Sequence, residues 1–186
     1  MTLLEDRLVQ VGVELLESSG PDRLGLREIA RQAGVSHGAP RRYFPTHQHL
    51  LAAIARSGLT DLAALIETAL GTSGTTQDRL VAGALAYVGF AEQRPEMFRL
   101  MFRHDLLTGS GASLRSVSVP LLERLIDVIQ KGFPELGDAR ECAVMIWTHV
   151  HGLATVAAGL TLEPMGLENE IPYLVERAVR TQLLSP

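Results

Sequence analysis

Between Leu26 and Leu50 the chain changes its structural instruction several times in quick succession. Leu26, Ile29, Ala30 and Ala33 are spaced to bury one side of a short helix over 26–33. Gly34 follows, and glycine can take the left-handed conformation that ends a helix. Ser36 can cap a second short helix over 37–43, with Pro40 in its first turn, and Pro45 stops it. Thr46 can cap a third helix, which runs long, from about 47 to 70. A short helix, a tight turn, a second short helix and then a long one is how a small helical unit presents one helix to the major groove of DNA.

The rest of the chain repeats the helical period. Leu4, Leu8, Val11 and Leu15 form one stripe over 3–18, closed by Ser18-Ser19-Gly20-Pro21. Leu51, Ile54, Gly58, Leu62, Leu65 and Ala69 form the stripe of the long helix. Gly71 to Thr76 reads as a loop, and further helices are predicted over about 77–92, 95–106, 114–131, 138–160 and 168–184. Gly109-Ser110-Gly111, Phe133-Pro134 and Pro164-Met165-Gly166 separate them. No alternating strand pattern survives, so an all-α fold is expected. The expected division is a helix-turn-helix domain over 1–46 and a larger helical domain over 47–186.

Composition supports a folded chain: 46% of the 186 residues are hydrophobic and 20% charged. No apolar run approaches the roughly 18 residues that span a bilayer, and the first residues lack a signal-peptide pattern. A cytoplasmic chain without a membrane partner is the expectation. The lone Cys142 sits in an apolar helical stretch and reads as a buried thiol. The net charge of −4 is unevenly spread. Residues 23–56 hold Arg23, Arg27, Arg31, Arg41, Arg42 and Arg56 against Glu28 alone, whereas the acidic residues dominate after 56. A basic patch on an acidic body suits a DNA-binding end joined to a regulatory end; an ordinary solvated face is the plain alternative.

Within the patch, Val35 and Phe44 would anchor the short helix. Gly38 and Ala39 are small enough to let its first amides approach a phosphate. His37 and Arg41 share one face, as do Gly38 and Arg42. Arginine can bind the O6/N7 edge of guanine with two hydrogen bonds. Arg27 could reach a phosphate or a base, and Tyr43 a phosphate. The expected DNA-binding set is Arg27, Ser36, His37, Gly38, Ala39, Arg41, Arg42, Tyr43 and His47.

Gly20, Ile29-Ala30, Ala33-Gly34-Val35-Ser36, Gly38, Tyr43-Phe44 and Leu50-Leu51 resemble the N-terminal pattern of the tetracycline-repressor family of bacterial regulators. The resemblance covers about the first 55 residues and holds through every helix boundary. It implies a double-stranded DNA operator as partner. Three positions depart from it. Gly25 replaces the usual capping Ser or Thr, Arg41 the common Tyr, and His47 a lysine that contacts phosphate. More loosely, Arg94-Pro95-Glu96-Met97-Phe98-Arg99-Leu100-Met101-Phe102 resembles a stretch of the sixth helix in one subgroup. Trp147 with His151-Gly152 resembles that subgroup's tryptophan–histidine–glycine signature.

Trp147, His151, Ala154 and Ala158 follow a 4-3-4 spacing on one predicted face, where small residues let a second helix approach. With Ile171, Leu174, Val175, Ala178 and Leu183 of the last helix, this face is expected to form half of a four-helix homodimer interface through helices 138–160 and 168–184. The alternative is that both helices serve only the core of one chain. Phe90, Met97, Phe98, Met101, Phe102, Trp147 and His151 are the expected lining for a small apolar effector, or else plain core. Arg99, Arg103, His104 and His151 could orient it.

Enzyme and metal chemistry have no specific support. His149 and His151 point to different helix faces, and His37, His47 and His49 have no Cys or carboxylate at ligand spacing. Glu163, Glu168 and Glu170 read as a solvated cluster. No nucleophile elbow, phosphate-cradling loop or dinucleotide fingerprint occurs. No cofactor is expected. The reading that emerges is a ligand-responsive, homodimeric transcription regulator, most simply a repressor released by its effector. Its rival is a helical sensor or adaptor whose N-terminal unit binds protein.

Overall fold

The computed structural model describes residues 3–21, 24–103, 114–160 and 163–184. Arg23, His104 and the Gly109-Ser110-Gly111 break lie outside them. Among the described residues are eight α-helices and no strand, so the fold is all-α. The helices are α1 (Leu3–Ser19), α2 (Leu26–Gln32), α3 (His47–Leu70), α4 (Thr76–Gln93), α5 (Pro95–Met101), α6 (Arg115–Gly132), α7 (Ala139–Ala158) and α8 (Ile171–Leu184).

Contacts divide the chain into two compact units. One comprises Met1–Thr60 with Arg94–Arg115; the other comprises Asp61–Gln93 with Ser116–Pro186. The unit that holds the helix-turn-helix motif thus extends beyond residue 46, to Thr60, and takes in α5.

In the first unit α1 packs on α2 and α5. Leu8, Leu16, Leu24, Ile29, Leu50 and Ile54 are almost fully buried. Each such side chain contributes roughly 1.5–3 kcal/mol by leaving water. Gly58 is the contact that lets α5 lie against α3: a Cβ there would overlap Met97 Sδ and Cγ. Glu17 at the end of α1 pairs with Arg94, just ahead of α5, at 3.1 Å. Burial raises the Glu17 pKa, and Arg94 pulls it back.

In the second unit α4, α7 and α8 pack on one another around Leu80, Val88, Ala143, Ile146, Ala154, Val175 and Val179. The helix starts are written in the local sequence. Thr75 Oγ1 accepts from Asp78 N–H at 3.1 Å, and the Asp78 carboxylate accepts from Thr75 N–H at 3.1 Å. The Thr75 hydroxyl also donates to that carboxylate at 2.7 Å, and this bond, with the one from Thr75 N–H, holds the Asp78 pKa down. Asp138 caps α7 by accepting from Arg140 N–H and Glu141 N–H at 2.8 and 3.1 Å. The last helix starts at Ile171 rather than 168, because residues Glu168–Glu170 form a 3-10 turn ahead of it.

By length and composition α3 is the one described helix apolar enough to cross a bilayer, with a mean hydropathy of 1.3. The sequence expectation missed this because Arg56, Asp61 and Glu67 interrupt the run while the average stays high. Leu50, Leu51, Ala52, Ile54, Ala55, Leu59, Leu62 and Leu70 are buried along it, which marks a core helix of a folded protein.

Candidate nucleic-acid interface

The end of α2 fixes where the chain turns. Gly34 sits at φ +67°, Val35 N–H donates to Ala30 O at 3.0 Å, and Gly34 N–H donates to Arg31 O at 3.2 Å. This pair of closing bonds satisfies the last carbonyls of the helix and turns the chain sharply. A side chain at Gly34 would be strained by that φ alone.

The segment that follows differs from the expected α-helix over 37–43. His37 and Gly38 form a turn, and only Pro40–Arg42 closes a helical turn, of the tighter 3-10 kind. The reason is Pro40, which has no N–H to donate to the Ser36 carbonyl. That carbonyl accepts instead from Ala39 N–H at 2.9 Å, and Tyr43 N–H reaches Pro40 O at 3.0 Å. Ser36 therefore does not cap an α-helix, and the 3-10 turn begins at Ala39 without a side-chain cap. Pro40 and Phe44 are the buried anchors; Val35 is half-buried.

This framework leaves the nominated contacts outward. Arg27, Ser36, His37, Gly38, Arg41, Arg42 and His47 are exposed, while Ala39 and Tyr43 are half-buried. Arg31 is spent differently: it holds Glu28 at 2.5 and 2.9 Å, and Gln32 donates to the same carboxylate at 3.0 Å. That pairing raises the Arg31 pKa and cancels the only acid in the patch. Gly25 precedes α2 without a side-chain cap, as its lack of a side chain requires. Thr46 does cap α3. Its Oγ1 accepts from His49 N–H at 3.4 Å and lies 2.7 Å from His49 Nδ1. His47 Nε2 donates to the Leu24 carbonyl, a partner that sequence spacing could not reveal.

The effector candidates fall into both units. Met97, Phe98 and Met101 are buried in the first unit, with the Phe98 and Phe102 rings 5.0 Å apart. Phe90 is buried in the second, where Trp147 and His151 sit on α7 with ring centroids 5.6 Å apart. Tyr87 of α4, which sequence reading missed, lies 2.8 Å from His151 Nδ1 through its hydroxyl. Burial lowers the His151 pKa and raises that of Tyr87. A neutral imidazole accepting at Nδ1 from the Tyr87 hydroxyl must carry its proton on Nε2. Arg99 pairs with Glu96. A cavity of about 230 Å³ in the second unit is lined by Leu85, Val88, Gly89, Glu92, Asn169, Ile171 and Pro172, none of them among the expected effector residues.

The expected single face on α7 is divided. Trp147 is 42% exposed and His151 half-buried, but Ala154 and Ala158 are buried in the packing of their own unit. The 4-3-4 spacing keeps these four positions on one side of the helix; what changes along it is the packing, which covers Ala154 and Ala158 and leaves Trp147 exposed. Exposed positions on α7 include Val144, Met145, Trp147, Thr148, His149, Gly152 and Thr155; on α8 they include Tyr173 and Leu184. Among the described residues no group of three or more His, Cys, Asp or Glu could hold a metal ion.

Residues 8–54 match a family model described as bacterial regulatory proteins, tetR family. Residues 80–181 match one described as tetracyclin repressor-like, C-terminal domain. A solved structure of a protein with unknown function from Rhodococcus sp. RHA1 is 30% identical, with a TM-score of 0.81 over 98% of this chain and 95% of that one. The structure of BioQ with its double-stranded DNA operator shares the fold at 17% identity and a TM-score of 0.65, covering 99% of this chain and 100% of that one. The nucleoid occlusion factor SlmA of Sodalis glossinidius is 30% identical over 103 residues, 55% of this chain and 52% of that protein. The chain spans about half the length of the curated relatives it matches.

Proposed function

This chain belongs to the tetR family of bacterial regulatory proteins, a family of regulators rather than enzymes, and we propose that it is a DNA-binding transcription regulator acting in the cytoplasm. The observation that carries the reading is the exposed set of Arg27 on α2 with His37, Arg41 and Arg42 on a turn whose backbone is fixed at both ends. Arg41 and Arg42 would read base edges or phosphates, while Ser36, Gly38, Ala39 and Tyr43 would meet the backbone of one strand. BioQ, a neighbour in fold, was solved on a double-stranded DNA operator, which supports the same partner here.

The fuller proposal is a homodimeric repressor released by a small apolar effector. Exposed Val144, Met145 and Trp147 on α7 and Tyr173 on α8 support a second copy as the cover. The effector candidates remain Phe90, Met97, Phe98, Met101, Phe102, Trp147 and His151, and the motif Trp147, His151-Gly152 remains the basis for the subgroup. Effector binding shifts the operator equilibrium only by its different affinity for the two states.

The test is selection of duplexes from a random-sequence pool, followed by affinity measurement and sedimentation of the chain alone and on DNA. A palindromic selected sequence bound by two chains supports the reading; failure to select any sequence removes it in favour of a protein-binding adaptor. Likeness to a nucleoid occlusion factor favours a second reading, in which DNA binding serves nucleoid occlusion rather than the control of a promoter. Genome-wide mapping of bound sites separates the two. Trp147 is the only tryptophan of the chain, so quenching of its fluorescence screens apolar effectors directly.

A further inference from the structure

We propose that His47 serves DNA reading as a positioning residue, closing the reading segment through the Leu24 carbonyl instead of touching a phosphate. The inference rests on the DNA-binding reading above for its purpose, and on geometry for its mechanism. A carbonyl oxygen only accepts, so the His47 nitrogen that faces it, Nε2, carries the proton and donates. That nitrogen is thereby committed to the protein's own backbone.

The bond joins positions 23 residues apart. Every other nominated contact, from Arg27 to Tyr43, lies between its two ends. Each end is held by something rigid. Leu24 is 1% exposed, and its N–H donates to Pro21 O at 3.2 Å. His47 is the first residue of α3, behind the Thr46–His49 cap. Between them, the entry to α2 has no local restraint from Gly25, which caps nothing with a side chain. The imidazole supplies that restraint from across the motif. It fixes the chain just before α2 to the start of α3, and the turn carrying Arg41 and Arg42 is suspended between those two helices. Ordering the segment before DNA arrives lowers the entropy that binding must otherwise remove.

The experiment compares the full-length chain with His47→Ala and His47→Gln on a duplex that the unmodified chain selects from a random pool, with thermal unfolding as a check on each fold. Losing one hydrogen bond that orders the segment should weaken binding roughly two- to tenfold in His47→Ala. The glutamine variant keeps an N–H donor and should recover most of the loss. The slope of log affinity against log salt should be unchanged in both, because no phosphate contact is lost. Amide exchange in the free protein should speed up over Leu26–Ala30 and Ser36–Tyr43 in the alanine variant and stay at the original rate in the glutamine variant. A slope reduced by about 0.9, the value of one phosphate, overturns the proposal; so does a glutamine variant that behaves like alanine. If the unmodified chain selects no DNA, the DNA reading fails by itself, and the exchange rates still decide for or against the closure. Should His47→Ala not fold, His47→Phe keeps a ring without the donor and takes its place.

Discussion

The reading segment of residues 24–47 and the packed helices α4, α7 and α8 use their polar groups in opposite ways. In the segment, hydrogen bonds to the main chain set the shape: the closing pair at Gly34, the 3-10 turn at Pro40–Arg42 and the link from the His47 imidazole to the Leu24 carbonyl. Its charged side chains stay in water. In the packed helices, side-chain burial sets the shape, and the polar groups of Tyr87 and His151 are drawn inward until they satisfy each other. A surface meant for a charged partner keeps its charges solvated and puts its rigidity into the main chain. A body that packs apolar helices spends its few polar groups internally.

Core truncation is the largest perturbation of this contrast. Ile54→Ala in the first unit and Ile129→Ala in the second, both fully buried, should each cost about 2–5 kcal/mol in chemical denaturation. At temperatures where both variants remain folded, only Ile54→Ala should also weaken DNA binding. Equal losses of DNA binding would erase the distinction between the regions.

Next in size is the charged face. Arg42→Ala should weaken binding to selected DNA by about 1–3 kcal/mol if it reads a base. Arg31→Ala should weaken it much less, because Glu28 already holds that side chain in an exposed pair. Fluorescence anisotropy would measure both, and equal effects would contradict the division of labour among the arginines.

Much of the first region was legible from its residues. Ala33-Gly34-Val35-Ser36 predicts the turn, and Thr46 the start of α3, because caps and left-handed glycines act over a few positions. Pro40 fits the first turn of a helix by sequence, but its missing N–H reduces the expected helix to one 3-10 turn. The His47–Leu24 bond was hidden because it joins residues brought together only by the fold. On α7 the 4-3-4 spacing of Trp147, His151, Ala154 and Ala158 suggested one face, whereas tertiary packing splits it. Tyr87 was invisible for the same reason: nothing near it in sequence announces a histidine on another helix.

The smaller predictions concern that pair. Tyr87→Phe removes the hydroxyl and should lower stability by roughly 0.5–1.5 kcal/mol; an unchanged melting curve would mean that the bond contributes nothing net. Burial lowers the His151 pKa from its ordinary 6.5 in the folded chain. The unfolded chain therefore binds the proton more readily in the window below 6.5, so stability present above that pH is lost as pH falls toward the folded pKa. His151→Gln should flatten this part of the pH–stability curve. A slope that persists in the variant assigns the effect to another group.

The central claim is that the exposed arginines of a pre-shaped turn bind double-stranded DNA, and a salt titration of binding to a selected duplex tests it most directly. Log affinity should fall steeply and linearly with log salt, and Arg41→Ala with Arg42→Ala should together make the line shallower. A flat response, or a slope unaffected by removing both arginines, would contradict the account.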